Sequence, residues 1–275
     1  MTEFQRFQGA KQYIADEGLL ADVNAAIALE RPLLVRGEPG TGKTSLARAV
    51  AESLGMPLLT WHVKSTTTAK EGLYEYDVVQ RLNDSRFGDG DISDIRQYIR
   101  PGVLGRAFQA EERVVLLIDE IDKADVEFPN DLLRELDEMA FHIPELNETV
   151  TARQRPVTII TSNAERELPD AFLRRCVFHY ISFPDHERIR KIVDAHLPEL
   201  DISLVEAAVA RFYGIRKVNG LRKKPSTSEL LDWLFVLARA GANPDDIANR
   251  MPFLGTLIKQ ERDLELLSKK RWGKP

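Results

Sequence analysis

One glycine-rich octapeptide constrains the fold of this chain more than any other segment. It fits the pattern G-x-x-x-x-G-K-[ST] and reads Gly37-Glu38-Pro39-Gly40-Thr41-Gly42-Lys43-Thr44. In such a loop the glycines let backbone N–H groups point at the phosphates of a nucleotide. The lysine brings a positive charge to the β- and γ-phosphates, and the threonine hydroxyl binds Mg²⁺.

The residues on either side of this loop have the pattern that its chemistry needs. Pro32-Leu33-Leu34-Val35 is a short apolar run typical of a buried strand, and residues 45–54 (SLARAVAESL) have the periodicity of an amphipathic helix. We count Ser45, at the start of that helix, among the nucleotide-binding candidates together with the loop. The succession of strand, loop and helix favours a phosphate site over a plain glycine turn.

Length, charge and cysteine content exclude several classes of protein. The chain has 275 residues, enough for one large domain or two smaller ones, and a formal net charge of −5, which disfavours nucleic-acid binding through bulk charge. Its single cysteine, Cys176, excludes an intramolecular disulfide and fits a reducing compartment. Because no apolar stretch approaches ~18 residues and the N-terminal stretch is polar, we expect a soluble, cytoplasmic protein without membrane contact.

The order of the apolar runs predicts two domains. In residues 1–185, helical segments alternate with five strand-like runs, at 32–35, 57–63, 113–118, 156–161 and 178–183. This alternation predicts an α/β fold with a five-stranded parallel sheet covered by helices. Residues 186–275 show only helical periodicity, at 188–196, 204–213, 229–240 and 245–267, which predicts a small all-α lid domain. Inserts near 65–99 and 141–154 interrupt the first domain, and the second insert has the alternation of a β-hairpin.

A second motif follows the third strand-like run. The apolar residues 114–118 end in two carboxylates, Asp119 and Glu120, at the strand end where open α/β sheets bind ligands. Asp119 is suited to hold Mg²⁺ through water. Glu120 points the other way along the pleat, toward a water that attacks the γ-phosphate, and it can polarise that water. Two surface acids would be the simpler interpretation without a phosphate loop upstream.

Together these motifs resemble those of the AAA+ ATPases and, more narrowly, the MoxR-like ATPases. The resemblance is carried by residues 32–44, by Ile118-Asp119-Glu120-Ile121-Asp122, by the two inserts, by Thr161-Ser162-Asn163, and by residues 168–176 (LPDAFLRRC). The helical domain is matched only in kind. The resemblance implies P-loop NTPase architecture, Mg²⁺-dependent hydrolysis of ATP to ADP and phosphate, and a homo-oligomeric ring, typically a hexamer. It also implies chaperone-like remodelling or activation of a partner protein, often with a von Willebrand A-type protein.

The resemblance implies roles for residues outside the two motifs. Asn163 matches a polar sensor that helps to place the attacking water, although a helix cap is the alternative. Arg175 matches the arginine finger, which reaches the ATP of a neighbouring subunit. Arg174 is the alternative finger, because adjacent helical residues point about 100° apart.

The resemblance also points to a second sensor and to an adenine contact. Related helical domains usually bring an arginine to the γ-phosphate just after a proline, but the corresponding Pro225-Ser226-Thr227 has none. Either Lys223 or Lys224 substitutes for it, or the basic turn is simply solvated. On the adenine side, Tyr13 or Ile14 lies where the family's N-terminal linker packs, and either can equally be a core residue.

Other functions share the phosphate loop. A nucleic-acid motor or loader is compatible with the basic residues at 216–224 and 269–271, but the acidic total disfavours it. A small-molecule kinase is disfavoured because Glu120, Asn163 and Arg175 favour hydrolysis. A GTPase is also disfavoured. Asp122-Lys123-Ala124-Asp125 resembles the guanine-binding motif N-K-x-D, but it begins with aspartate instead of asparagine. It also directly follows the Mg²⁺ strand, which is too close to the phosphates for a contact with the base.

Overall fold

The computed structural model describes residues 6–10, 12–88 and 92–268. They form two units. The first holds residues 6–10, 15–37, 43–88 and 92–181, and the second holds residues 12–14, 38–42 and 182–268. The middle of the phosphate loop is thus grouped with the second unit, and its two ends with the first.

Within its described residues the first unit contains nine strands and eight helices. The strands are β1 (Leu33–Gly37), β2 (Leu58–His62), β3 (Tyr74–Tyr76), β4 (Ile99–Pro101), β5 (Val115–Asp119), β6 (Ala140–Ile143), β7 (Glu148–Thr151), β8 (Val157–Ser162) and β9 (Val177–Ile181). The helices are α1 (Glu17–Leu29), α2 (Lys43–Leu54), α3 (Ala69–Leu73), α4 (Val78–Phe87), α5 (Val103–Gln109), α6 (Phe128–Asp131), α7 (Leu133–Glu138) and α8 (Asp170–Leu173). Short 3₁₀ helices lie at Ile95–Tyr98 and Ile121–Lys123.

Five parallel strands form the central sheet of the first unit, in the order β2-β5-β8-β1-β9. Every residue of β5 and β8 is buried, as expected for strands whose two faces are both covered. The predicted α/β class with a five-stranded parallel sheet is therefore confirmed. Since all five strands run the same way, the carboxyl ends of β2, β5 and β8 lie next to one another at one edge.

The two inserts form small antiparallel pairs. β3 pairs with β4 in the first, and β6 pairs with β7 in the second, with Phe141 opposite Val150. The second insert is therefore the hairpin that its alternating pattern predicted.

Five helices make up most of the second unit: α9 (His186–His196), α10 (Ile202–Arg216), α11 (Thr227–Arg239), α12 (Pro244–Asn249) and α13 (Glu261–Ser268). Their core includes Phe212 and Trp233, both fully buried. The single helix predicted for 245–267 is wrong, because the chain leaves the helical conformation at Met251 and Phe253, where φ is 45° and 58°. Pro252 lacks a backbone donor and disfavours helical geometry at the residue before it. In the part of the chain that the structure describes, no helix is long and apolar enough to span a membrane.

Candidate nucleotide and magnesium site

The carboxylate of Asp119 lies at the end of β5, beside the first turn of α2. Thr44 Oγ1 donates a hydrogen bond to Asp119 Oδ1 at 2.9 Å, and Thr161 Oγ1 on β8 donates to the same oxygen at 2.7 Å. On the other side, His62 Nδ1 lies 3.2 Å from Asp119 Oδ2. The strand order explains this meeting, because β2 and β8 are the two neighbours of β5.

This arrangement of oxygens fits Mg²⁺. The ion is usually bound by one or two protein oxygens, and water and substrate phosphates complete its shell. Thr44 and Asp119 can supply the protein oxygens. Among the described residues, no group of three or more histidine, cysteine or acidic side chains is arranged to hold a metal ion. An ion beside Thr44 and Asp119 would take its other ligands from water and from phosphate oxygens.

Lys43 opens α2 and is buried, with its Nζ donating to the carbonyl oxygen of Gly37 at 2.8 Å. The same helix end exposes Thr44 and Ser45. Backbone N–H groups at a helix N-terminus attract anions, and a lysine there adds a full positive charge. This end of α2 can therefore bind phosphate through both main-chain and side-chain groups.

Glu120 follows β5 in the left-handed region, with a φ of 60°. Its backbone N–H donates to Thr161 Oγ1 at 2.8 Å, so one buried hydroxyl contacts both Asp119 and Glu120. The Glu120 carboxylate accepts from Asn163 Nδ2 at 3.0 Å and forms a second contact with the ammonium of Lys123. The predicted water-activating carboxylate and the predicted polar sensor thus lie in direct contact.

Sequence reasoning missed the buried carboxylate of Asp122. Its side chain is only 3% exposed and accepts from the backbone N–H groups of Asn163 at 3.3 Å and of Glu165 at 2.8 Å. These bonds tie the turn after β5 to the loop after β8. The sequence did contain a signal for this contact. Asp122 directly follows the apolar residue Ile121, and a carboxylate in apolar surroundings needs a hydrogen-bond partner.

The two candidate arginine fingers differ in their contacts. Arg175 forms an ion pair with Asp137 and donates from NH1 to the carbonyl oxygen of Ala171 at 2.9 Å. Arg174 is exposed, and its side chain has no hydrogen-bond or ion-pair partner among the described residues. Next to them, burial raises the pKa of the Cys176 thiol to about 12, so this cysteine is protonated at neutral pH and is a poor nucleophile.

In the second unit, the middle of the phosphate loop contacts an arginine. Arg216 NH2 donates to Glu38 Oε2 at 2.7 Å, and its NH1 donates to the carbonyl oxygen of Pro225. The guanidinium carbon lies 3.3 Å from the ring centroid of Phe183, and the side chain is only 9% exposed. Sequence reasoning missed Arg216, because nothing in the pattern of α10 distinguishes a helix-terminal arginine that contacts a loop from one that faces water.

Lys223 and Lys224 were the sequence candidates for the cation at the γ-phosphate, and their surroundings differ from those of Arg216. Lys223 Nζ pairs with Glu229 Oε1 at 3.1 Å. Lys224 is exposed, and its side chain has no partner within the described ranges. Close to them, Gly40 has a φ of 75°, and a Cβ added there would lie 2.3 Å from Ser226 Cβ. The loop therefore requires glycine at this position.

The remaining loop and adenine-side candidates also belong to the second unit. Thr41 Oγ1 donates to the carbonyl oxygen of Glu38 at 2.8 Å, and Pro39 is exposed. A Cβ at Gly42 would lie 3.4 Å from Tyr13 Cε2, so the tyrosine ring lies beside the loop backbone. The carbonyl oxygen of Ile14 accepts from Arg188 NH2 at 3.0 Å.

Comparison with known families agrees with this geometry. The family model described as AAA domain (dynein-related subfamily) matches residues 32–176, which is more than half of the chain. The matched range includes Lys43, Asp119, Glu120, Asn163 and Arg175. Comparison with curated proteins gives no match. Membership of this family implies nucleotide binding and, in general, ATP hydrolysis, and its members commonly assemble into oligomers. The chain belongs to the AAA domain family, in its dynein-related subfamily.

Proposed function

We propose that this chain is a Mg²⁺-dependent ATPase of the MoxR-like type, which works as a homo-oligomeric ring, typically a hexamer, to remodel or activate a partner protein. The observation that carries the proposal is the meeting of Thr44, Asp119, Glu120 and Asn163 at one edge of the sheet. A von Willebrand A-type protein as the partner, and a cytoplasmic location, remain parts of the proposal that rest on the sequence.

The proposal gives each side chain a role that its position supports. Lys43 would bind the β- and γ-phosphates, and Thr44 and Asp119 would hold a Mg²⁺ ion that would supply positive charge to the phosphate oxygens. Glu120 accepts a proton from water as the water oxygen bonds to the γ-phosphorus and the bond to the β–γ bridging oxygen breaks. Asn163 orients this water through its amide.

The Glu120→Gln variant tests the hydrolytic role. The amide keeps the shape of the side chain but loses the basic oxygen, so turnover should fall by about 10²–10⁴-fold while ATP still binds. Turnover is measured by phosphate release and ATP affinity by titration. A variant that hydrolyses ATP within a few-fold of the parent would show that another group activates the water. The same variant, as an ATP-bound trap, is suited to capturing the partner protein.

Mixing two inactive variants tests the ring. Arg175→Ala keeps an intact phosphate loop, and Lys43→Ala keeps an intact finger. In mixed rings, some interfaces join the intact loop of one subunit to the intact finger of the next, and part of the activity should return. An arginine finger is worth about 10³–10⁵ in rate, so the recovery is easily measured.

Arg174→Ala is the matched comparison in this experiment. If Arg174 is the finger, its variant rather than Arg175→Ala complements Lys43→Ala. No recovery with either arginine variant, despite demonstrated co-assembly, would contradict an action in trans.

No specific observation favours nucleic acid as the partner. Within the basic segment 216–224, Arg216 pairs with Glu38 and Lys223 pairs with Glu229, which neutralises part of its charge. The other basic cluster, at 269–271, lies outside the described residues.

A further inference from the structure

We propose that Lys123 is a positioning residue that holds the Glu120 carboxylate in a resting orientation, and that its release from Glu120 precedes ATP hydrolysis. The inference rests on the ATPase function proposed above. It concerns a lysine to which neither the sequence motifs nor the family comparison gives a role.

The Glu120 carboxylate has a donor on each oxygen. Asn163 Nδ2 donates to Oε1 at 3.0 Å, and the ammonium of Lys123 contacts Oε2. Two donors on opposite oxygens fix the rotation of the carboxylate group, whereas a general base must turn one oxygen to within about 2.6–3.2 Å of the attacking water. The Asn163 contact belongs to the proposed water-positioning site, so the Lys123 contact is the one that must break before Oε2 can turn toward the water.

The turn after β5 delivers Lys123 to this position. Glu120 has a φ of 60°, and the 3₁₀ helix Ile121–Lys123 begins directly after it. The backbone N–H of Lys123 donates to the carbonyl oxygen of Glu120 at 3.0 Å, which folds residue 123 back over residue 120. Asp122 fixes the same turn through its buried bonds to the loop after β8. The contact is thus a consequence of the local backbone.

The exposure of this pair suits a contact that must break. The Lys123 and Glu120 side chains are 42% and 34% exposed. An ion pair in water is screened and contributes little to stability, so a competing charge can displace it. The contact with Glu120, with added attraction from Glu165 and Asp119, raises the pKa of Lys123, which therefore remains a cation. The negative charge of a bound γ-phosphate is the competitor that would draw Lys123 away from Glu120.

The test compares single-turnover hydrolysis of bound ATP by the parent, Lys123→Met and Lys123→Arg. Single-turnover rates exclude product release as the limiting step. Lys123→Met should hydrolyse bound ATP about fivefold faster, because a fivefold change in rate corresponds to the modest free energy of an exposed ion pair. Its affinity for ATP should be unchanged. Lys123→Arg keeps the cation and should resemble the parent. Lys123→Gln gives a second uncharged side chain if the methionine variant folds poorly.

A matched control and a double variant separate this role from a structural one. Lys191 forms an exposed i,i+4 ion pair with Glu187 on α9, so Lys191→Met removes a comparable pair and should leave the rate unchanged. In a Glu120→Gln background, Lys123→Met should have no effect, because the lysine acts through the carboxylate.

Three results overturn the inference. They are a Lys123→Met rate equal to or below the parent's, an equal acceleration in the Glu120→Gln background, or equal acceleration by Lys123→Arg. In each of these cases the proposed ATPase function still stands, provided that the parent protein hydrolyses ATP. A parent that binds ATP without hydrolysing it would overturn both the ATPase function and the role of Lys123.

Discussion

Removing the Asp122 carboxylate should destabilise the first unit by an amount that follows from its two hydrogen bonds. The carboxylate is buried and accepts from Glu165 N at 2.8 Å and from Asn163 N at 3.3 Å. A hydrogen bond to a charged group contributes about 1.5–3 kcal/mol, and the longer bond belongs at or below the lower end of that range. Asp122→Ala leaves both N–H groups without this acceptor, so we expect the free energy of unfolding to fall by about 3 kcal/mol.

The same substitution should slow hydrolysis without abolishing ATP binding. Asn163 loses the bond that fixes its backbone, and its side chain is the one that contacts Glu120. A displacement of about 1 Å in a positioning group can reduce the rate about 10²-fold. The bonds of Asp122 run to the loop after β8, whereas phosphate binding depends on Lys43 and Thr44, so the Kd for ATP should change by only a few-fold.

Urea unfolding followed by circular dichroism, together with phosphate release and ATP titration, measures these effects. With an m value of about 3 kcal/mol per molar urea, the unfolding midpoint should fall by about 1 M. Asp131→Ala is the matched control, because Asp131 is an exposed aspartate on α6 and a surface substitution of this kind changes stability by only about 0.5 kcal/mol. The reasoning is refuted if Asp122→Ala unfolds like the control and hydrolyses ATP within about threefold of the parent.

The remaining predictions concern the phosphate loop, its arginine contact and the single cysteine. Lys43→Ala should abolish the stabilisation by ATP, which for the parent at about 100 times Kd is about 2.7 kcal/mol; an unchanged ATP-dependent rise in melting temperature would contradict the assignment. Arg216→Met removes a buried cation that contacts Glu38 and Pro225, and it should lower the free energy of unfolding by about 2 kcal/mol, a value reduced for the partial exposure of Glu38. Urea unfolding measures this loss. Arg216→Lys keeps the positive charge and should lose less stability. Because burial raises the pKa of Cys176 to about 12, its thiolate is scarce at pH 8, and its alkylation by iodoacetamide in the native protein should be at least about 10²-fold slower than in urea; equal rates would show that the thiol is accessible and ionised.

The central sheet was predictable from sequence because its signal is local. Each of its strands is a short apolar run, and β5 and β8 are buried along their whole length, so no partner elsewhere in the chain is needed to recognise them. The phosphate loop and the Asp119-Glu120 pair were equally visible, since residue type and spacing alone specify their chemistry.

The contacts that organise the site were not predictable, because they depend on register and on distant residues. Thr161 lies in an apolar strand, and only the pairing of β5 with β8 places its hydroxyl against Asp119. Arg216 is separated from Glu38 by 178 positions in the sequence. The helix predicted over 245–267 shows the opposite error, since Pro252 was a local signal that helical periodicity outweighed.

Burial divides the contacts of the candidate site into two kinds, and the division bears on mechanism. Thr161 and Asp122 are almost fully buried, and breaking their bonds would leave polar groups unsatisfied. The Lys123–Glu120 and Arg175–Asp137 pairs are partly exposed, and water replaces either partner at little cost. The exposed pairs can therefore be exchanged without disturbing the buried ones. Glu120, the proposed base, and Arg175, one of the two candidate fingers, are thus held by partners that are easy to replace.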